Sequence, residues 1–217
     1  MEKKIYLPQV DNFLLYLKTQ NYSQETIYNY ERDLKQLETF LNEESILFEK
    51  FDKQQVLQYK AYLISRDRKL PIRGSTAVQK LDPASINRNL SSVRNYLKYL
   101  IDMDRQIPVQ PESIKLVKTD KKHPRVAELD ELIKLIESPQ QLESDQLIGF
   151  RNRAMLEVLF STGMRISELM SLNRSQLDGS GRLFIRGKGK KERFVYLTDR
   201  ARQWLDDYLA KRQDQAP

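Results

Sequence analysis

Two cations stand apart in this sequence for the way they are carried. Arg165 lies in Gly163-Met164-Arg165-Ile166-Ser167-Glu168-Leu169. Here Ile166, Leu169, Met170 and Leu172 fall on roughly one face of a helix, and Gly163 supplies a break just before it. Lys188 lies in Gly187-Lys188-Gly189-Lys190-Lys191, between two β-prone runs. Leu183 and Ile185 alternate with Arg182, Phe184 and Arg186 in the first run, and residues 193–197 form the second, so a hairpin is expected. Glycines permit positive φ at its turn, which presents three lysines. A guanidinium at a helix start and an ammonium on a hairpin tip suit phosphate chemistry. A planar fork of fixed charge can hold non-bridging oxygens, and an amine beside other cations can give a proton to a departing oxygen. Taken alone, each has a plainer reading. Arg165 could pair with Glu168 one turn on, and residues 187–189 could be an ordinary basic turn. They are not a P-loop, because no Ser or Thr follows Lys188 and a strand comes next.

Taken together and in this order, the two motifs resemble the first half of the catalytic domain of tyrosine recombinases, closest to the integrase and Xer-type branch. The likeness extends over residues 151–160, Arg-Asn-Arg-Ala-Met-Leu-Glu-Val-Leu-Phe, which resemble the helix leading into the arginine. The resemblance implies that Arg165 binds the scissile phosphate of DNA and that Lys188 acts from the hairpin as general acid on the 5′ oxygen. Lys190, Lys191 and Arg193 would add DNA contacts. It further implies a site-specific recombinase that grips duplex DNA as a C-shaped clamp, cutting and rejoining through a phosphotyrosine without metal or nucleotide. No cofactor is expected. In this family a tyrosine attacks the phosphodiester, and the covalent link stores the bond energy for religation.

The elements that must position these groups can be read from the rest of the chain. With 217 residues, one large or two small domains are expected. The formal net charge of +7 points to a polyanionic partner, either nucleic acid or an acidic membrane surface. No cysteine is present, which excludes disulfides and thiolate metal sites, and the single histidine, His123, excludes a multi-histidine centre. No apolar run approaches a membrane span and the N-terminus lacks a signal-peptide apolar region, so a cytoplasmic protein is the default.

Residues 1–107 read as a helical domain of four helices. Val10, Phe13, Leu14 and Leu17 share one face of the first. Ser23 is the expected N-cap of the second, whose inward stripe is Ile27, Tyr30, Leu34, Leu37 and Phe40 or Leu41. Val56, Tyr59, Tyr62 and Leu63 mark the third. Residues 70–81 form a turn-rich loop, after which Asp82 and Pro83 open the fourth helix, with Ile86, Leu90, Val93, Leu97 and Leu100 inward. Residues 85–100 also resemble the recombinase family's N-terminal core-binding (SAM-like) domain, which enters a major groove. The resemblance makes Asn87, Arg88, Ser91 and Arg94 candidates for DNA contact. Alone they would read as the wet face of an amphipathic helix. Tyr22, Ser23 and Thr26, at a helix N-terminus, could meet a backbone phosphate or simply cap the helix.

Residues 108–125 read as a basic, proline-containing linker, with Pro108, Pro111 and Pro124 and lysines at 115, 118, 121 and 122. Residues 126–217 read as the N-terminal part of a catalytic domain. A short helix carries Leu129, Leu132, Ile133 and Ile136, residues 138–147 form a polar connection, and a helix follows from Arg151 to Phe160. A closing helix places Trp204, Leu205, Tyr208 and Leu209 inward. The fold class is mainly α with a small β-hairpin, an α+β arrangement. The family's second catalytic half, an H-x-x-R motif, a further His or Trp and the nucleophilic tyrosine, has no counterpart after Tyr196; Tyr196 and Tyr208 are read as packing residues. The chain is therefore expected to bind DNA but to be catalytically incomplete alone, a truncated recombinase whose intact form self-associates on double-stranded DNA. The alternatives are a non-catalytic DNA-binding regulator on the same fold and a helical protein-interaction module.

Overall fold

The computed structural model describes residues 4–65, 80–120, 126–177, 179–187 and 191–214. The chain divides into two compact units, Met1–Lys122 and His123–Pro217. Among the described residues the fold is mostly helical with one two-stranded antiparallel sheet, the mainly α class expected from the sequence. No helix of the described residues is long and apolar enough to cross a membrane.

The first unit holds four helices, α1 (Val10–Thr19), α2 (Gln24–Glu43), α3 (Lys53–Ser65) and α4 (Pro83–Asp102). Their starts follow from local chemistry. Ser23, in extended backbone, accepts a hydrogen bond from the Thr26 N–H, and Asp82 accepts one from the Ala84 N–H with Pro83 in the first turn. Each cap satisfies a helix N–H that has no partner within the helix, at about 1 kcal/mol. The apolar stripes meet in one core that contains Phe13, Leu37, Phe40, Leu63, Leu90 and Leu97. Two tyrosine hydroxyls inside it are paired: that of Tyr59 donates to Asn89 Oδ1 at 2.6 Å, and that of Tyr96 donates to the Pro8 carbonyl.

Part of the stretch read as a linker belongs to this unit. Val109 and Ile114 are buried in the same core, and Val117 packs against it. The amide of Asn87 fixes the Val117 main chain, donating to its carbonyl at 2.9 Å and accepting from its N–H at 2.8 Å. The prolines make a rigid path along the core rather than a free tether over residues 108–117. Lys121, Lys122, His123, Pro124 and Arg125 lie outside the described residues, as does most of the loop expected at residues 70–81.

The second unit is built from α5 (Leu129–Glu137), α6 (Pro139–Leu142), α7 (Gln146–Thr162), α8 (Ile166–Met170), β1 (Arg182–Arg186), β2 (Glu192–Tyr196) and α9 (Asp199–Lys211). The expected polar connection at residues 138–147 contains α6, and α7 begins at Gln146 rather than Arg151. Asp145 explains the earlier start, because its carboxylate accepts from the N–H groups of Leu147 and Ile148. α7 runs two residues past the expected Phe160 and stops at the expected break, Gly163, at φ 61°, a left-handed conformation that glycine adopts without Cβ strain.

The hairpin pairs Arg182 with Tyr196, Phe184 with Phe194 and Arg186 with Glu192. Leu183, Ile185 and Val195 point inward onto Val158 and Met164. That core is small. Beside buried Ile136, Ala154 and Ala201, charge also ties α5, α7 and α9: the Glu157 carboxylate, itself buried, receives Arg153 at 2.8 Å and Arg200 at 2.7 Å, and Arg200 also reaches Glu137 at 2.9 Å. The Arg153 guanidinium lies 4.9 Å from the centre of the Trp204 ring, close enough for a cation–π contact.

Candidate nucleic-acid interface

The geometry around Arg165 is set by one carboxylate. Gly163 ends α7, Met164 is buried as an anchor, and Arg165 takes the N-cap position of α8 in extended backbone. Its N–H donates to Glu168 Oε2 at 2.8 Å, and its Nη1 donates to Glu168 Oε1 at 3.0 Å. From the hairpin, Arg193 approaches the same group with both ends of its fork, Nη1 to Oε1 at 3.2 Å and Nη2 to Oε2 at 2.9 Å. The Glu168 side chain is 4% exposed and that of Arg165 is 63% exposed. A buried anion thus fixes the base of an arginine whose remaining donors face solvent. Bidentate hydrogen bonding from Arg193 first, then the Arg165 backbone N–H, holds the Glu168 carboxyl at a pKa of about 2. Two guanidiniums against one carboxylate leave the cluster with a net positive charge.

The foot of the Lys188 turn meets the same carboxylate. The Gly187 N–H donates to the Lys191 carbonyl at 2.7 Å, closing the hairpin. A Cβ on residue 187 would stand 2.8 Å from Glu168 Oε1 and 3.1 Å from Arg193 Nη1. Glycine is needed here for room, not for the positive φ expected from the sequence, which Gly187 does not adopt. Lys188 and Lys190 lie outside the described residues; Lys191 is exposed.

Several of the other sequence-derived candidates are engaged within the fold. Arg193, expected to face DNA, is engaged by Glu168. Ile166, Leu169, Met170 and Leu172, expected on roughly one face, are divided: Ile166 and Met170 are exposed, while Leu169 and Leu172 pack inward. The helix is too short to bury a full stripe. Tyr196, read as a packing residue, is also exposed.

In the first unit Ser23 caps α2 and its hydroxyl lies 2.8 Å from that of Thr26, with Tyr22 exposed beside them. On α4, Arg88 Nη1 donates to Asp33 Oδ2 at 2.7 Å. Asn87 is occupied by Val117, and Ser91 and Arg94 are half-buried. The sequence marked Glu168 only as a neighbour of Arg165 one turn away. Its pairing with Arg193, twenty-five positions on, carries no local signal, and neither does the pairing of Asp33 with Arg88. Among the described residues no cluster of His, Asp or Glu could hold a metal ion.

Comparison with known proteins places both units. Residues 125–217 match the model of the phage integrase family, and residues 10–103 match that of the phage integrase N-terminal SAM-like domain. The tyrosine recombinase XerC of Lactobacillus delbrueckii subsp. bulgaricus is 30% identical over 201 residues, 92% of this chain and 63% of that protein. XerC of Chlamydia trachomatis is 36% identical over 126 residues, 58% of this chain and 39% of that protein. The chain therefore spans less than two thirds of the length of these relatives. Among solved structures, the XerH site-specific recombinase bound to palindromic difH substrate superimposes with a TM-score of 0.64 at 17% identity, covering 98% of this chain and 64% of that one.

Proposed function

This chain belongs to the phage integrase family of tyrosine recombinases, and from that premise we propose that it is the DNA-gripping and phosphate-binding portion of a site-specific recombinase. The first unit is the core-binding domain and the second the opening part of the catalytic domain. The observation that carries this reading is the shared carboxylate: Glu168 holds exposed Arg165 and leaves room only for glycine at the foot of the Lys188 turn.

Attack on a phosphodiester gathers negative charge on the non-bridging oxygens, and a preorganised guanidinium is suited to hold it. Arg165 supplies that fork. Lys188 delivers a proton to the departing 5′ oxygen, and Lys190 and Lys191 add attraction to the backbone. Glu168 acts through both cations by fixing their supports. In the intact protein a tyrosine would take the phosphoryl group and return it on rejoining, with self-association on paired DNA sites and a cytoplasmic location. These 217 residues contain no His-x-x-Arg sequence, so cleavage is expected only where those groups are also supplied.

Anisotropy of a labelled random-sequence duplex, followed from 50 to 200 mM salt, tests the reading. Several phosphate contacts should cost roughly a hundredfold or more in affinity across that range. A flat salt response would overturn the proposal and favour a protein-interaction module. A second assay uses a nicked suicide duplex and denaturing electrophoresis. It should give no covalent band with this chain; a band would show that a tyrosine here is competent.

A further inference from the structure

A buried carboxylate in the first unit is unexplained by packing alone. Asp33 of α2 is 1% exposed and meets Arg88, Asn89 and Ser92 of α4. Its Oδ2 accepts from Arg88 Nη1 at 2.7 Å and from the Ser92 hydroxyl at 2.8 Å. Its Oδ1 is buried with no hydrogen-bond partner among the described residues. Burial pushes its pKa up, and the Ser92 hydrogen bond and the Arg88 charge oppose this. Burying a carboxylate with one oxygen unsatisfied is costly. An apolar residue would fill the same space at lower cost. What the carboxylate gains is a fixed arginine.

Arg88 is half out of the protein, its side chain 42% exposed. One nitrogen of its fork is committed to Asp33, and among the described residues no other group takes its donors. Nη2 and Nε are left with donors to offer from a side chain that is 42% exposed and tethered at Nη1. Two consequences follow for what those donors can recognise. Arg88 faces its buried anion one to one, unlike the two guanidiniums that share Glu168, so its pair carries no net charge with which to attract a phosphate. It keeps its N–H donors, however, in a fixed fork that fits two neutral acceptors side by side. On duplex DNA that acceptor pair is the O6 and N7 edge of guanine in the major groove.

We infer that Asp33 is a positioning residue for base readout: with Ser92 it sets the plane of Arg88, and Arg88 reads one guanine of the recombination site. This rests on the reading of the first unit as the part that enters a DNA groove.

The test is selection of duplexes from a library with a randomised 30-base-pair core, using the full chain and four variants: Arg88→Ala, Arg88→Lys, Asp33→Asn and Ser92→Ala. Wild type should enrich a motif containing a guanine that Arg88→Ala no longer selects. Asp33→Asn should lose preference at that same position, by roughly tenfold or more, and at no other. Ser92→Ala, the gentler change, should weaken the same preference in part. Arg88→Lys keeps the ion pair but not the fork, and should lose the preference while melting near the wild-type temperature. The double variant Arg88→Ala/Asp33→Asn should select as Arg88→Ala does. If Asp33→Asn fails to fold, Ser92→Ala and Arg88→Lys still decide the matter. Uniform loss of affinity with an unchanged motif in the Asp33 and Ser92 variants would make Asp33 merely structural and overturn the inference. So would an Arg88→Ala motif identical to wild type. Failure of wild type to bind any duplex would instead remove the recombinase reading beneath it.

Discussion

In the first unit the buried side chains form one apolar cluster drawn from all four helices and from the segment through Val109 and Ile114. In the second, the corresponding cluster is Val158, Met164, Leu183, Ile185 and Val195, and much of the remaining cohesion comes from carboxylates shared between arginines. The first arrangement rests mainly on apolar burial, with one buried ion pair, Asp33 with Arg88, set into it. The second places charge close to the surface, where it can meet a phosphate, and leaves the unit dependent on that charge. On the proposed reading, a unit that binds a phosphate needs cations held in place, and buried carboxylates such as Glu168 and Glu157 hold them.

The contrast can be broken most forcefully from the apolar side. Leu37→Ala in the middle of the first core should cost about 2–5 kcal/mol of that unit's stability, read by denaturant melts. Loss near the surface-residue range would mean that the core is loosely packed. Arg165→Ala should do the reverse. Its side chain is mostly exposed, so melting should change little, yet strand cleavage in a chain carrying the remaining catalytic groups should fall by roughly 10²–10³-fold. Equal losses of stability and cleavage would recast Arg165 as structural.

Glu168→Gln sharpens the comparison through pH. The folded carboxyl titrates near 2, below its ordinary value, so the stability it contributes is complete above about pH 4.5 and fades as pH falls toward 2. The wild type should melt above the variant at pH 7, and the gap should close over that acid window. A constant gap would show that the carboxylate's charge is not what matters. The smallest effect is expected at the end of α7. Gly163→Ala meets open space but a φ of 61°, so strain of about 1 kcal/mol should appear in equilibrium unfolding, with no clash to add to it.

Sequence reasoning reached different depths in the two units. The four helices of the first, the caps at Ser23 and Asp82 and the hairpin around Leu183 and Ile185 follow from periodicity and local hydrogen bonding, which a sequence displays directly. The packing of Val109 and Ile114 against the first core did not, because prolines in a basic stretch look alike whether the chain runs free or along a surface. The exposure of Ile166 and Met170 was hidden by the brevity of α8. Partners distant in the chain were the least legible. Glu168 as the group holding Arg165 and Arg193, and Asp33 as the group holding Arg88, emerge only when separate elements are folded together.

The most direct test replaces the phosphates of a selected duplex one at a time with neutral methylphosphonates and measures binding by wild type, Arg165→Ala and Lys188→Ala. Wild type should lose affinity at several positions, and both variants should become insensitive at one and the same phosphate. Insensitivity at two different phosphates, or none, would contradict convergence of the helix and the hairpin tip on a single backbone group.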